Sequence, residues 1–254
     1  EYKSKVYVLH VVREKMSHEI DDYGLTAESV KQMEEDMLSG AEKKMRKEID
    51  RLLPQAKEIE IFSEVVIGDP PEEILKAQKE KEIDLIVISS LGRTGLAKYF
   101  IGGVARKVLK GSTCPVLLTK EGMLKPTKIL VPTDFSKYSD KALKQGLDIA
   151  KQYNAKVFLL HVIQTRTQQS ETQESLKESM RKQLDKYPQS KEVEVVTDIR
   201  EGISYEVILK EERSKKIDLI VIASLGRTGI AKYIIGGVAR NVLKGAKCPV
   251  LLTK

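Results

Sequence analysis

The sequence predicts an α/β fold that occurs twice, with parallel sheets and helices on both faces. The first reason is an internal repeat: the stretch from Ile83 to Lys120 returns, 134 positions later, from Ile217 to Lys254. The second reason is that short β-branched runs alternate with amphipathic segments in both halves, which is typical of a parallel sheet whose strands are connected by helices. We therefore place two domains at residues 1–120 and 121–254.

The first half opens with a strand and a long helix. KVYVLHVV at 5–12 is apolar and β-branched, as expected of a buried strand. Between 28 and 53, apolar residues recur every three or four positions, which predicts an amphipathic helix. A strand at 59–67 and a turn at GDPP follow, and a short helix at 72–82 leads into the repeated stretch.

Each copy of the repeated stretch indicates a glycine-rich loop between a buried strand and a helix. DLIVI is a continuous apolar run, SLGRTG interrupts it, VARKVLKG is a short amphipathic helix ending at Gly111, and CPVLLTK is another buried strand. Glycine-rich backbone before a helix start allows a polyanion to approach free N–H groups. The alternative is that these glycines serve only tight turns and helix packing.

The second half begins with a segment that the first half lacks. KILVPTDFS at 128–136 predicts a strand ending in a polar turn, and a helix follows from about 139. The remaining elements are a strand at 156–163, a helix near 174–184, a strand at 192–199 and a helix at 204–216, followed by the second repeated stretch. By comparison of the halves, the first domain lacks its first strand and helix. We expect about 25 to 35 residues to precede this numbering, rather than another chain to supply the strand.

Composition argues against several classes of partner. The net charge is +7, but Lys and Arg are interleaved with Asp and Glu and no basic stripe with aromatics occurs, so we expect no nucleic-acid partner. No apolar run approaches membrane length, and we expect a cytoplasmic protein without a membrane partner.

Cys114 and Cys248 share one repeat position and are predicted to be buried free thiols. Three separated histidines do not predict a metal site.

Both halves resemble the universal stress protein domain, in a tandem arrangement. The segments that carry the resemblance are VPTDFS at 131–136, LLHVI at 159–163, GDPPEEIL at 68–75, the phosphate-loop segments, and CPVLL at 114–118 and 248–252. The resemblance implies two open parallel five-stranded sheets of strand order 3-2-1-4-5, an adenine-nucleotide alpha-hydrolase-like fold. It also implies pairing through the last strand, and some members of the family bind ATP whereas others do not.

The signature of the ATP-binding members is Gly, two residues, Gly, nine residues, Gly, then Ser or Thr. The spacing is kept in both halves of this chain, but the first glycine is replaced by Ser89 or Ala223 and the hydroxyl residue by Gly103 or Gly237. The first change adds a β-carbon beside the expected ribose. The second removes a side-chain donor to phosphate, which costs about 1 to 3 kcal/mol if nothing replaces it.

The resemblance assigns roles to individual residues. Asp134 would accept from ribose or adenine, and Pro132 and Val162 would line the base. The phosphates would be held through the backbone of Gly226, Gly236, Gly237 and Val238, next to Ala223. The matching first-domain positions are Val11, Ser89, Gly92, Gly102, Gly103 and Val104. The alternative for Asp134 is a role in capping the helix that follows Ser136.

These features predict an adenine-nucleotide-binding regulatory protein of the stress response, with ATP, ADP or AMP as ligand and Mg²⁺ carried by the phosphates. The alternative is a nucleotide-free module that dimerises and binds protein partners. No general base, Walker lysine or Walker aspartate is found in the loop, so we expect at most slow ATP hydrolysis. The terminal strands at 116–119 and 250–253 are predicted to lie at sheet edges and to pair between domains or between chains.

Overall fold

The structure is a computed structural model that describes residues 4–13, 26–52, 59–90, 101–120, 125–164, 172–226 and 235–254. These residues form two compact units, Glu1–Glu82 and Ile83–Lys254. The unit boundary therefore falls before the first repeated stretch. The division at residue 120, which follows the repeats, stays a prediction.

The first unit is a two-stranded parallel sheet with two helices. Strands β1 (Lys5–Val12) and β2 (Glu60–Ile67) pair along their whole length. Helix α1 (Ala27–Leu52) packs against both strands, and helix α2 (Pro70–Glu80) packs against β1. The four predicted elements are confirmed to within about two residues, because apolar periodicity and the GDPP turn mark their ends clearly.

The second unit contains the first repeated stretch and the whole second half. The first stretch supplies β3 (Ile86–Ser89), α3 (Gly103–Gly111) and β4 (Val116–Thr119). The second half supplies β5 (Lys128–Thr133), α4 (Lys137–Tyr153), β6 (Lys156–Ile163), α5 (Gln173–Asp185), β7 (Val195–Glu201), α6 (Ser204–Lys215), β8 (Leu219–Ala223), α7 (Gly237–Gly245) and β9 (Val250–Thr253).

These strands form one seven-stranded sheet in the order β3-β4-β9-β8-β5-β6-β7. The five strands of the second half are mutually parallel and keep the order 3-2-1-4-5 that the family resemblance implies. The predicted α/β class is thus confirmed. The strand order reverses at β5, because β6 is added on one side of it and β8 on the other.

The two terminal strands β4 and β9 pair with each other, antiparallel, with Val116 opposite Leu252 and Leu118 opposite Val250. Pairing between the repeats is therefore confirmed. The prediction that these strands lie at sheet edges is wrong, since each has a neighbour on both sides. Self-association of two chains through the same strands would require this pair to separate.

The first half does not form a five-stranded sheet of its own. Its strands β1 and β2 form the separate sheet, whereas β3 and β4 extend the sheet of the second half. Within the described residues, no strand of the first half stands where β5 joins β6 to β8 in the second half. The difference shows in burial: β8 is buried almost throughout, whereas Val87 in the edge strand β3 is 60% exposed.

The core of the second half lies between the sheet and its helices. Ile129 and Val131 of β5 pack against Leu143 and Leu147 of α4, and all four side chains are fully buried. Helix α4 begins at Lys137, two residues earlier than predicted, because Ser136 caps it by accepting a hydrogen bond from Ser139 N.

One boundary in the second half was predicted wrongly. A single turn of 3₁₀ helix, Pro188–Lys191, lies after α5 and was not predicted. It delays β7 to Val195 rather than residue 192. Pro188 starts this turn because its fixed φ suits a helix start, which the apolar pattern alone does not reveal.

Candidate functional site

A cavity of about 520 Å³ opens at the carboxyl edge of the sheet in the second half. Its walls come from the ends of β5, β6 and β8 and from the starts of α6 and α7. Since the strand order reverses at β5, the cavity lies at the switch point of the sheet. Open parallel sheets bind their ligands at this position.

The structure brings together every site residue predicted in the second half. All eight line this cavity: Pro132, Asp134, Val162, Ala223, Gly226, Gly236, Gly237 and Val238. They come from segments separated by about a hundred residues of sequence, and the parallel strands join them because their carboxyl ends meet at one edge. Their roles in binding stay predictions.

Asp134 follows β5 directly and is held against the glycine loop. Its Oδ1 accepts a hydrogen bond from Ser136 N at 3.1 Å, so it contributes to the turn that leads into α4. Its Oδ2 lies so close to Gly226 that a β-carbon there would be only 2.8 Å away. Asp134 therefore shapes the turn before the capping residue Ser136, and the same carboxylate also lies next to the loop.

The turn after β5 is conformationally unusual. Phe135 has a φ of 63°, the left-handed region that costs a bulky residue about 1 to 2 kcal/mol. Its ring stacks on the buried ring of His161, with centroids 4.5 Å apart. His161 Nδ1 lies 2.9 Å from the carbonyl of Thr133 and must donate to it, because a carbonyl only accepts. These contacts fix the backbone that carries Asp134.

Buried hydrogen bonds from α5 support the same turn. The hydroxyl of Thr133 accepts from Phe135 N at 3.1 Å and donates to Gln183 Oε1 at 2.9 Å. Gln183 in turn donates to Asp140 at 2.7 Å, and Asp140 also pairs with Lys186. Because Thr133 and Gln183 are almost fully buried, breaking either bond would leave a polar group unsatisfied. The turn is thereby held rigidly.

The start of α7 faces the cavity without a capping side chain. Its first turn contains no acidic residue, and the preceding Gly236 makes no side-chain hydrogen bond. The first N–H groups of a helix have no acceptor within the helix and lie at the positive end of its dipole. The amides of Gly237, Val238 and Ala239 are therefore placed to bind an anion.

The predicted role of the Gly236 amide needs a correction. Its N–H donates to the carbonyl of Ser224 at 2.8 Å, so it closes the loop and is not available to a phosphate. Ala239, which was not predicted, also lines the cavity. The same loop closure occurs in the first repeat, where Gly102 N donates to Ser90 O at 3.1 Å.

Several lining residues were missed by the sequence analysis. They are Thr133, Ser139, Leu160, His161, Gln164, Ser204, Ile208, Ile222, Ser224, Leu225 and Ala239. Gln164 and His161 were detectable in principle, because both lie within two residues of the predicted base residue Val162. Ser204 and Ile208 were not, since only the packing of α6 against β6 brings them to the cavity.

The predicted first-domain residues are described in two separate places. Val11 lies in β1 of the first unit, whereas Ser89, Gly102, Gly103 and Val104 lie around β3 and α3 of the second unit. Gly92 lies outside the described residues. Helix α3 shares with α7 a glycine before its start and a first turn without acidic residues.

Few charged side chains line the cavity. Among the described residues that line it, Asp134 is the one ionisable carboxyl group, and none is Lys or Arg. Across the described ranges, no three His, Cys, Asp or Glu side chains are grouped as a metal site would need.

Cys114 and Cys248 are buried and free, as predicted. Within the same part of the chain, no helix has the length and apolar character needed to cross a membrane.

The sequence also matches known proteins over both halves. The sequence model of the universal stress protein family matches residues 1–120 and 126–254. Universal stress protein MJ0531 of Methanocaldococcus jannaschii is 34% identical over 138 residues, which cover 50% of this chain and 81% of that protein. Universal stress protein Rv2005c of Mycobacterium tuberculosis is 24% identical over 214 residues, covering 78% of this chain and 70% of that protein.

Solved structures agree with this match in fold. A universal stress protein from Archaeoglobus fulgidus superposes with a TM-score of 0.74 at 23% identity, and the alignment covers 98% of this chain and 87% of that one. The protein PA1789 from Pseudomonas aeruginosa, described as functionally unknown, superposes with a TM-score of 0.68 at 22% identity, covering 99% and 83%. The chain belongs to the universal stress protein family, with two copies of the family domain in tandem.

Proposed function

We propose that the cavity of the second half binds an adenine nucleotide, namely ATP or its products ADP and AMP. The observation that carries the proposal is that the Asp134 carboxylate and the uncapped amides of α7 line the same cavity. A carboxylate suits ribose hydroxyl groups, which donate, whereas helix N-terminal amides suit phosphate oxygens, which accept. A nucleotide carries ribose hydroxyl groups and phosphates at neighbouring positions.

The size and polarity of the cavity fit this ligand. A volume of about 520 Å³ falls within the range of pockets that enclose small molecules. Val162, Ile208 and Ile222 supply apolar surface for a base. Since Asp134 is the one carboxylate among the described lining residues, a Mg²⁺ ion would be held mainly by the phosphates.

Two positions would weaken binding relative to the family signature. Ala223 carries a β-carbon where the signature has glycine, and Gly237 lacks the hydroxyl group of the signature Ser or Thr. The second change removes one hydrogen bond, worth about 1 to 3 kcal/mol to a charged group. The amide of Gly237 is kept, so we expect weakened rather than abolished binding.

A regulatory role would follow from the position of the cavity in the sheet. A bound nucleotide would touch β5, β8 and the start of α7, and β8 pairs with β9, which pairs with β4 of the other repeat. Occupancy would therefore act on the β4–β9 pair. We propose a regulatory protein of the stress response, acting in the cytoplasm with at most slow ATP hydrolysis.

The alternative is a nucleotide-free module that binds protein partners or a second copy of itself. The observation that favours it is Ala223, whose β-carbon stands where the ATP-binding signature requires bare backbone. In this case the cavity would be a former nucleotide-binding site that no longer binds nucleotide.

Calorimetry of the full chain with ATP, ADP, AMP and cyclic AMP distinguishes the two functions. We expect binding of at least one of them, and a weakening of about tenfold or more in Asp134→Asn. Asparagine can still accept from Ser136 N but no longer offers two acceptor oxygens. Asp84→Asn is the control, because Asp84 is exposed on the other repeat. Absence of heat with all four ligands, and of nucleotide released on denaturation, would support the alternative.

A further inference from the structure

The cavity is also lined by a pair of polar side chains, Gln164 and Ser204. Gln164 follows β6 and is exposed, and Ser204 is the first residue of α6 and is partly buried. Gln164 Nε2 donates to Ser204 Oγ at 2.9 Å, and both residues line the cavity. The nucleotide contacts proposed above do not use either of them.

A backbone tether holds this pair in place. Gly202 N donates to the carbonyl of Ile163 at 3.0 Å, which fixes the start of α6 against the end of β6. Gly202 has a φ of 140°, and a β-carbon there would approach Val207 to 3.1 Å, so glycine is needed. The first half has the same tether, from Gly68 N to Val12 O at 3.0 Å.

The two halves differ in the residues that the tether brings together. By the alignment of the repeats, Arg13 stands at the position of Gln164 and Pro70 at that of Ser204. Pro70 has no hydroxyl group, so the hydrogen bond of the second half cannot form in the first. The tether therefore does not require the pair, and the Gln164–Ser204 bond is a property of the second cavity.

The strand order places this pair where a base would lie. β8 with α7 stands on one side of β5, and β6 with Gln164 stands on the other. Neighbouring strands are about 4.8 Å apart, so the ends of β8 and β6, on the two sides of β5, are about 10 Å apart. Asp134 directly follows the middle strand β5. This is the order of phosphate, ribose and base in a nucleotide.

The chemistry of the pair selects one kind of base edge. After donating to Ser204, the Gln164 amide has a second N–H and a carbonyl oxygen for a ligand. An N–H beside a carbonyl complements adenine, which offers a ring-nitrogen acceptor beside an amino donor. Guanine and hypoxanthine carry a carbonyl in place of that amino group, which would oppose the glutamine oxygen.

We propose that Gln164, oriented by Ser204, reads the amino edge of adenine and sets the preference of this cavity for adenine nucleotides. The inference rests on the proposed function, because it needs a nucleotide in the cavity. It adds a specificity-determining side chain to a site otherwise built from backbone amides, apolar contacts and Asp134.

The test compares ATP with inosine triphosphate by calorimetry on the full chain. We expect the wild type to bind ATP about tenfold more tightly than inosine triphosphate. Gln164→Leu, similar in size but without polar atoms, should weaken ATP binding about tenfold and leave inosine triphosphate within about twofold, so that the ratio approaches one. Ser204→Ala should reduce the ratio of the two affinities less than Gln164→Leu does, because it only frees the Gln164 amide to rotate.

Arg13→Ala, at the matching position of the first half, is the control and should leave the ratio unchanged. If the wild type prefers ATP and Gln164→Leu keeps that preference, the base-reading role is overturned while the nucleotide site stands. If the wild type binds neither triphosphate, both proposals fail together. If Gln164→Leu does not fold, Ser204→Ala still tests the proposal, because it removes only a single hydroxyl group at a helix start.

Discussion

Asp134 and Gly226 approach so closely that a β-carbon at position 226 would lie 2.8 Å from Asp134 Oδ2. A real side chain does not tolerate this distance to a carboxylate that is itself tied to Ser136 N at 3.1 Å. The glycine of the loop and the carboxylate of the β5 turn therefore depend on each other. This relationship connects the second repeated stretch to the turn that follows β5.

Gly226→Ala should weaken ATP binding about tenfold or more, because the new methyl group displaces the Asp134 carboxylate from its position. Gly40→Ala is the control: Gly40 lies in α1 with nothing within 4 Å of an added β-carbon. That variant should bind ATP normally and gain some helix stability. Calorimetric titration measures both. Unchanged affinity in Gly226→Ala would contradict the proposed position of the ligand.

Gly237→Ser should strengthen ATP binding by about five- to tenfold, since a hydroxyl group adds about 1 kcal/mol of hydrogen bonding to phosphate. A β-carbon at position 237 meets nothing within 4 Å, so the change introduces no clash within the protein. Gly103→Ser makes the matching change in the first repeat, where the structure also shows open space. A weaker or unchanged affinity in Gly237→Ser would argue against phosphate at the start of α7.

Glu212→Ala should destabilise the fold by about 2 to 3 kcal/mol. The buried Glu212 carboxylate accepts from Lys247 N at 2.6 Å and Cys248 N at 2.9 Å, and the variant would leave both amides unpaired. In the first repeat, the Ser112 hydroxyl at the matching turn accepts from Cys114 N.

The thermal unfolding midpoint measures this loss, with the exposed Glu206 of the same helix as the control position. The thiol of Cys248 provides a second readout. Burial, and then the neighbouring Glu212 carboxylate, raise the pKa of this thiol. Slow alkylation in the wild type and faster alkylation in Glu212→Ala are therefore expected. Equal midpoints for Glu212→Ala and Glu206→Ala would show that the carboxylate does not stabilise the turn.

Asp218 should make the stability of the second half depend on pH in the acidic range. Burial raises the pKa of Asp218, but hydrogen bonds from the hydroxyl and N–H of Thr127 and from Lys128 N outweigh it and hold the pKa below its ordinary value of 3.8. A lowered folded-state pKa means that the carboxylate stabilises the fold above the unfolded value and loses this effect as the pH falls through the folded value.

Asp218→Asn should therefore lower the unfolding midpoint at pH 7 and flatten its decline below about pH 4. Asp84, at the same repeat position, is exposed, and Asp84→Asn should change neither property. Midpoints measured from pH 7 to pH 3 provide the comparison. Identical acid profiles for the wild type and Asp218→Asn would contradict the account.

The sequence predicted most of the secondary structure because local patterns determine it. Strands β1 and β6 match their predicted ranges, since both are short apolar runs with polar ends. The repeat and the family resemblance likewise identified Asp134 and the glycine loop of the second half. These features depend on residue type and spacing, which the sequence contains directly.

The remainder depends on contacts between distant residues. Pairing of the terminal strands was predicted. Its antiparallel direction and the position of both strands inside one sheet were not, because they require the two repeats to share that sheet. The hydrogen bond from Gly236 to Ser224 uses backbone atoms, which leave no signal in residue identity. The Thr133–Gln183 bond joins residues 50 positions apart, and no local pattern specifies it.

A crystal structure of the full chain grown with saturating ATP would show whether the cavity of the second half holds the nucleotide. We expect phosphate oxygens about 3 Å from the amides of Gly237, Val238 and Ala239, with the ribose at Asp134 and the base beside Gln164. A cavity that holds no nucleotide under these conditions, or a nucleotide bound elsewhere on the protein, would contradict it.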